Sequence, residues 1–373
     1  MILPWCLFLT WLTRPQTPVS VSADLKLVQK LLNSRLPLIV GLALAFILAG
    51  SVIIATGMGY ISAPASDVIR VVAERLGVGQ TTDIDRILAT VIIDVRLPRI
   101  FVAVLVGGVL AVSGTVFQAI LLNPLADPYT LGISSGAAFG ASLSLVLSLT
   151  GLGLGSHFLT VPLFAFIGSI ATLAVVLYLA SVDSRLSSSS LILAGVIVAA
   201  ILSAAIGFLK FLADEQVGVI IFWLMGSLAG CSWQDVEVIT ITAGAGLPVA
   251  IYFSRDLNIM AMGRRSADTM GVDTVRVRKI LLIVCSLMTA VCVAVTGIIG
   301  FVGLIVPHLL RFTIGPDNRF LTPLSFLGGG LLLLSADTVT RALLPVEIPI
   351  GVLTALLGGP FFCFIFRRKL KER

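Results

Sequence analysis

Charge is scarce in this sequence. Asp, Glu, Lys and Arg make up 12% of its 373 residues, against 58% apolar residues, and the mean hydropathy is +1.10. A chain of this composition cannot hide its apolar surface inside one water-soluble core, which excludes a soluble globular protein. Histidine is rarer still: His157 and His308 lie far apart, and no Cys/His cluster has metal-ligand spacing, so neither a resident metal nor any other cofactor is expected. The five cysteines, Cys6, Cys231, Cys285, Cys292 and Cys363, form no CxxC pair and imply no disulfide framework. None of the six lysines is followed by Ser or Thr, which excludes a Walker A phosphate loop. Any ATP-derived energy must come from another polypeptide.

What the chain does have is long uncharged runs without alternating polarity. A backbone crossing lipid must satisfy its own hydrogen bonds, so such runs are helices rather than barrel strands. The expected fold is all-α, a polytopic membrane bundle. Charged residues serve as punctuation, because burying one at mid-bilayer costs roughly 2.5–3.5 kcal/mol. Reading between them gives ten spans near 37–59, 100–122, 130–150, 160–181, 190–209, 236–254, 280–296, 297–311, 320–337 and 348–366. The glycines of "GLGLGSH" (151–157) suit a surface turn. The stretch 280–310 is too long for one span, and we divide it at Thr296–Gly297. The stretch 216–234 carries Gly218, Gly226 and Gly230 and reads as a short surface helix. Within the spans no acid or base is expected that could form a proton relay, which disfavours an ion-coupled carrier.

Both termini are basic, with Arg14, Lys26, Lys30 and Arg35 at one end and "RRKLKER" (367–373) at the other. Both are therefore expected in the cytoplasm, and with ten spans the cytoplasmic side holds 18 of the 25 Lys and Arg residues. Residues 1–36 read as a cytoplasmic N-terminal extension and 37–370 as one transmembrane domain. Within the former, "MILPWCLFLTWL" has no charged n-region and is too short to span, as for an interfacial stretch or a misplaced start codon.

Two segments stand out. "RLPR" (96–99) puts Arg96 and Arg99 at the outer mouth of the second span, against the positive-inside trend. Arginines there can snorkel to lipid phosphates, or they can dock an acidic soluble partner through their planar donor fork. On the cytoplasmic side, "RDLNIMAMGRRSADTMGVDTVRVRK" (255–279) is the longest internal loop, basic at both ends. Its core around "RSADTMG" predicts a short helix closed by Gly271. It is either a solvated basic loop or a coupling helix pressed into an ATPase.

Four blocks carry a resemblance: "RLPRIFVAVLVGGVLAVSGTVFQAILLNPLADPYTLGISSGAAFGA" (96–141), "GFVGLIVPHLLR" (300–311), "ADTVTR" (336–341) and "EIPIGVLTALLGGPFF" (347–362). In this order they resemble the FecCD family, the transmembrane permease subunits of ABC importers for iron-siderophore complexes, haem and cobalamin. The resemblance covers about 37–370. It implies the cobalamin-permease-like fold, a permease homodimer or a pair of homologous permeases, two cytoplasmic ATP-binding cassette subunits and an extracytoplasmic substrate-binding protein. It implies import across the bacterial inner membrane, with no bond chemistry by this chain and no nucleic acid partner. An iron chelate is the expected cargo, with haem or cobalamin as the alternative; from another class, a secondary carrier working alone is the competing reading.

The resemblance also assigns residues. Arg96, Arg99 and Arg341 are implied to receive acidic residues of the binding protein. Substrate is implied to pass along the dimer axis, held from the cytoplasm by a gate that matches Asn123 and Leu125 in "NPLADP" and Ser188 and Ser189 in "RLSSSS". Gly263, Ala267 and Gly271 fall on the coupling-loop pattern, where small residues would permit close approach to the ATPase. Span glycines such as Gly107, Gly108 and Gly114 are expected to serve helix packing instead. If the three arginines are exposed, each ion pair they make contributes only about 0–1 kcal/mol and mainly orients a partner.

Overall fold

The computed structural model describes residues 23–59, 64–75, 86–149, 157–183, 186–342 and 346–371. The chain divides into two compact units, residues 1–40 and 41–373. The helices are α1 (Ala23–Gly57), α2 (Ala65–Arg75), α3 (Leu97–Ile120), α4 (Ile133–Leu149), α5 (His157–Ala180), α6 (Ser188–Ala213) and α7 (Val217–Leu224). They continue as α8 (Trp233–Tyr252), α9 (Ser254–Ala261), α10 (Arg264–Thr269), α11 (Thr274–Thr296), α12 (Val302–Ile314), α13 (Asn318–Ala342) and α14 (Ile350–Lys371). Among the described residues there is no strand.

Among the described residues, seven helical runs are long and apolar enough to cross a membrane, and three shorter apolar helices, within α4, α12 and α14, accompany them. These ten correspond one for one to the ten predicted spans. The turn expected at 151–157 lies outside the described residues except for His157, which opens α5. Large apolar side chains such as Phe46 and Ile54 on α1 and Phe208 and Phe211 on α6 are exposed, as suits a surface bathed in lipid.

Glycine lets the second unit pack. On α3 every residue from Val106 to Ile120 is buried, and the helix lies against α8, α11, α12 and α13. A Cβ on Gly107 would stand 2.2 Å from the Gly329 carbonyl oxygen of α13, and one on Gly114 would stand 1.9 Å from that of Gly303 on α12. The backbones touch where only hydrogen is present, which is how helices associate without a hydrophobic drive between them.

The 280–310 stretch breaks where expected. Helix α11 ends at Thr296, Gly297 turns the chain with φ 70°, and α12 starts at Val302. Irregular backbone at such depth requires partners, and it has them: Ser227 N–H donates to the Thr296 carbonyl at 2.8 Å, and the Tyr129 hydroxyl to that of Ile299 at 2.8 Å. Helix α7 is the short surface helix expected, with Val219 and Phe222 exposed and only Ile220 buried. Its Ile220 packs with Val146, Leu209 and Ala213 because α7 folds back onto α4 and α6.

Candidate functional site

One end of the second unit gathers the three arginines. Pro98 lacks an N–H and its ring crowds the carbonyl four residues earlier, a clash that a widened turn ahead of it relieves. Residues Val91–Arg96 form such a π-helical turn, with Leu97 N–H reaching the Ile92 carbonyl. The "RLPR" segment is thus part of a helical run from Ile87 to Ile120 rather than a loop at its mouth. Arg96 and Arg99, three apart, share a face of that run.

Neither is exposed: Arg96 retains 5% and Arg99 9% of its accessible surface, a correction to the surface expected of them. The reason is a carboxylate within a span, contrary to the expectation that spans carry none. Helix α13 runs past the predicted end at 337, which encloses Asp337 completely. Arg99 donates to Asp337 Oδ1 from Nη2 at 2.7 Å and from Nε at 2.9 Å, and its Nη2 also donates to half-exposed Glu347. Arg341, one turn beyond Asp337, brings Nε within 3.8 Å of Oδ2.

The remaining donors cap a helix. Arg341 Nη1 and Nη2 reach the carbonyls of Met58 and Ala55 at 2.7 and 2.8 Å, and Arg96 Nη1 reaches that of Thr56 at 2.9 Å. These are the terminal carbonyls of α1, which lack intrahelical partners and carry the negative end of the helix dipole. Gly59 is needed beside them, since a Cβ there would lie 2.8 Å from Arg96 Nη2. Next to the arginine cluster a recess of about 260 Å³ is lined by Arg99, Phe222, Ser227, Thr340, Glu347 and Ile350.

Asp337 and Glu347 were the residues that sequence reading missed. Both lie inside quoted blocks, and the i, i+4 spacing of Asp337 and Arg341 was the available signal.

After α3 the chain makes the turn containing Asn123 and Leu125. The Asn123 carboxamide oxygen accepts from Leu125 N–H at 3.0 Å, which shapes the turn and leaves Leu125 44% exposed. Asp127 then caps the short turn Pro128–Leu131, accepting from Thr130 N–H at 3.0 Å. Burial pushes its carboxyl up to about 6, against the opposing pull of those backbone donors.

Ser188 and Ser189 form the first turn of α6 rather than a loop. The capping hydroxyl is that of Ser187, which accepts from Ser190 N–H at 3.2 Å. Helix α6 meets the Pro128–Leu131 turn at Gly195, where a Cβ would lie 2.5 Å from the Thr130 carbonyl oxygen.

The 255–279 segment is largely helical, as α9, α10 and the start of α11. Helix α10 closes as expected at Gly271. Gly271 N–H donates to the Asp268 carbonyl and Val272 N–H to that of Ala267, the paired hydrogen bonds of a Schellman end, with Gly271 at φ 80°. Gly263, at φ 98°, has open space where a Cβ would be, as does Gly271; within this chain both are glycine for backbone angle. Ala267 is fully buried and packs inward, so it is not a surface of approach. The exposed face instead offers Met262, Met270, Arg264 and Asp268.

Helix α13 relates the two ends. Its first residue, Asn318, bonds to Asn258 of α9 at 2.9 Å, whereas Asp337 and Arg341 hold the arginine cluster. At 25 residues the helix is about 37 Å long, so the cluster and the 255–279 segment stand a bilayer's thickness apart.

An apolar bundle of this length with polar groups at both ends defines an integral membrane protein. The chain belongs to the FecCD transport family, whose model matches residues 38–368. It is 41% identical to the cobalamin import system permease protein BtuC of Halobacterium salinarum, over 73% of this chain and 72% of that one. It is 40% identical to the hemin transport system permease protein HmuU of Yersinia pestis, over 75% and 84%. A solved structure described as an inward-facing conformation of a metal-chelate type ABC transporter matches with a TM-score of 0.75 at 32% identity. That match covers 88% of this chain and 98% of the other. This chain is accordingly an ABC importer permease, a transport component.

Proposed function

We propose that this permease carries a chelated iron compound inward across the bacterial inner membrane, both termini facing the cytoplasm. The observation that carries the cargo class is the match over nearly the whole length of a metal-chelate type transporter. A relative named for Fe(3+)-citrate import in Bacillus subtilis, 34% identical over 91% of this chain, supports iron within that class. The likeness to permeases named for cobalamin and hemin favours those chelates as the second reading.

In this reading Arg96, Arg99 and Arg341 receive carboxylates of a substrate-binding protein. Glu347, half exposed beside the recess, holds the place on Arg99 that a partner's carboxylate would take. The exposed face of α9 and α10 docks one of two ATP-binding cassette subunits. Leu125, held out by Asn123, and the first turn of α6 at Ser188 and Ser189 close the path between two permease copies. Residues 37–370 form the permease domain, preceded by the cytoplasmic extension 1–36.

Reconstitution tests this. The chain, purified with the P-loop ATPase that accompanies it and supplied with its binding protein, should load proteoliposomes with a ferric siderophore only when ATP is present. Haem or cobalamin uptake in its place would replace the cargo, and ion-driven uptake by the chain alone would overturn the reading.

A further inference from the structure

Arg278 lies on the second turn of α11, at the end of the segment assigned to the ATPase. Its Nη1 donates to the carbonyl of Leu186, 92 residues away in sequence and two before Ser188. Leu186 is itself unusual: its φ is 47°, in the left-handed region that leucine avoids, while its side chain is 98% enclosed. A strained conformation persists only where surroundings hold it, and the guanidinium is one of those surroundings. Directly after it, Asp183 Oδ2 collects Ser187 N–H at 3.0 Å and the Ser190 hydroxyl at 3.1 Å, tying down the start of α6. The Arg278 Nε, by contrast, is buried with no hydrogen-bond partner. A buried N–H without a partner is costly, which leaves the Leu186 carbonyl as the contact that fixes the guanidinium in this arrangement.

The connection behind Arg278 is stiff. Helix α10 ends in the turn at Gly271, closed by two backbone hydrogen bonds, and Asp273 caps α11 by accepting from Arg276 N–H at 3.0 Å, leaving four residues between the helices. A displacement of α9 and α10 is therefore carried into the first turns of α11. We infer that Arg278 is a positioning residue for transport, a strut that transmits movement of the ATPase-facing segment to Leu186 and hence to the gate turn at Ser188 and Ser189. The inference rests on the reading of those two segments as coupling helix and gate.

The test uses the complete importer, permease with its ATPase subunits, in nanodiscs. Ser189→Cys is introduced in a background where Cys6, Cys231 and Cys363 are alanine, and its fluorescein-maleimide labelling rate is read with and without ATP plus vanadate. With Arg278 present the rate should change by about fivefold; with Arg278→Gln the change should fall below about twofold, and Arg278→Lys should restore more than half of it. Leu186→Gly, which relaxes the strained residue and leaves Arg278 in place, should blunt the response likewise, and carries the test if R278Q does not assemble. A full nucleotide response in R278Q or L186G would overturn the strut alone, and so would an R278K as unresponsive as R278Q. No response with Arg278 intact would overturn the gate assignment, and the strut with it.

Discussion

At the residue scale, the buried ion cluster is the feature with most at stake. Asp337 is enclosed and shared by Arg99 and, at longer range, Arg341. Removing one member of a buried pair leaves the other charge unanswered, at a cost of about 3–5 kcal/mol. Asp337→Ala should therefore lower thermal stability of the detergent-purified chain by that order. Glu347, half exposed, is not expected to compensate, and an unchanged melting temperature would show that it does. Asp127 gives stability a pH dependence. Its carboxyl is raised from the usual 3.9 or so to about 6, so the folded chain holds the proton more tightly than the unfolded one. Stability should fall as pH rises from about 4 through about 6, by up to about 3 kcal/mol, and stay low above that window. Asp127→Asn keeps the cap and removes the charge, so its melting temperature should be flat over the same window.

At the scale of elements, glycines of two kinds make separable predictions. Gly114 is glycine because the Gly303 backbone occupies the space of a side chain, so Gly114→Ala must push α3 and α12 apart at about 1–3 kcal/mol or more. Gly271 has open space around it and only its φ of 80° to protect, so Gly271→Ala should cost about 1–2 kcal/mol and leave the bundle intact. Chemical denaturation of the two variants separates them, the first being the more damaging. The elements were largely legible beforehand. Ten apolar runs, the break at Thr296–Gly297 and the closure at Gly271 follow from local composition, because each depends on residues within one helical turn. The π-helical turn before Pro98, the folding of α7 back onto α4 and α6 and the extension of α13 past Asp337 were not legible. Each depends on what another helix presents, and charge used as punctuation ends a span where a buried pair lets it continue.

At the scale of the whole molecule, α13 separates the arginine cluster from the ATPase-facing segment, which makes topology testable with two cysteines. Val346, 73% exposed near the cluster, and Asp268 on α10 are suitable sites. In intact cells an impermeant maleimide should label Val346→Cys and miss Asp268→Cys until the membrane is opened. The reverse pattern would invert the orientation and the direction of transport with it. The same separation joins the two ends mechanically, since α13 touches α9 at one end and holds the cluster at the other.

The sequence by itself determined that this chain is a membrane bundle, how many apolar helices it has and to which family it belongs, because hydropathy and motif are properties of local runs. It also drew attention to Arg96, Arg99 and Arg341. Only the tertiary structure decided that Arg96 and Arg99 are buried, that Asp337 and Glu347 answer Arg99, and that Arg96 and Arg341 cap α1. The same holds for Arg278, which reaches Leu186 from another helix. Ion pairing and capping between segments far apart in the chain depend on distances of a few ångströms that only the folded packing of helices can set.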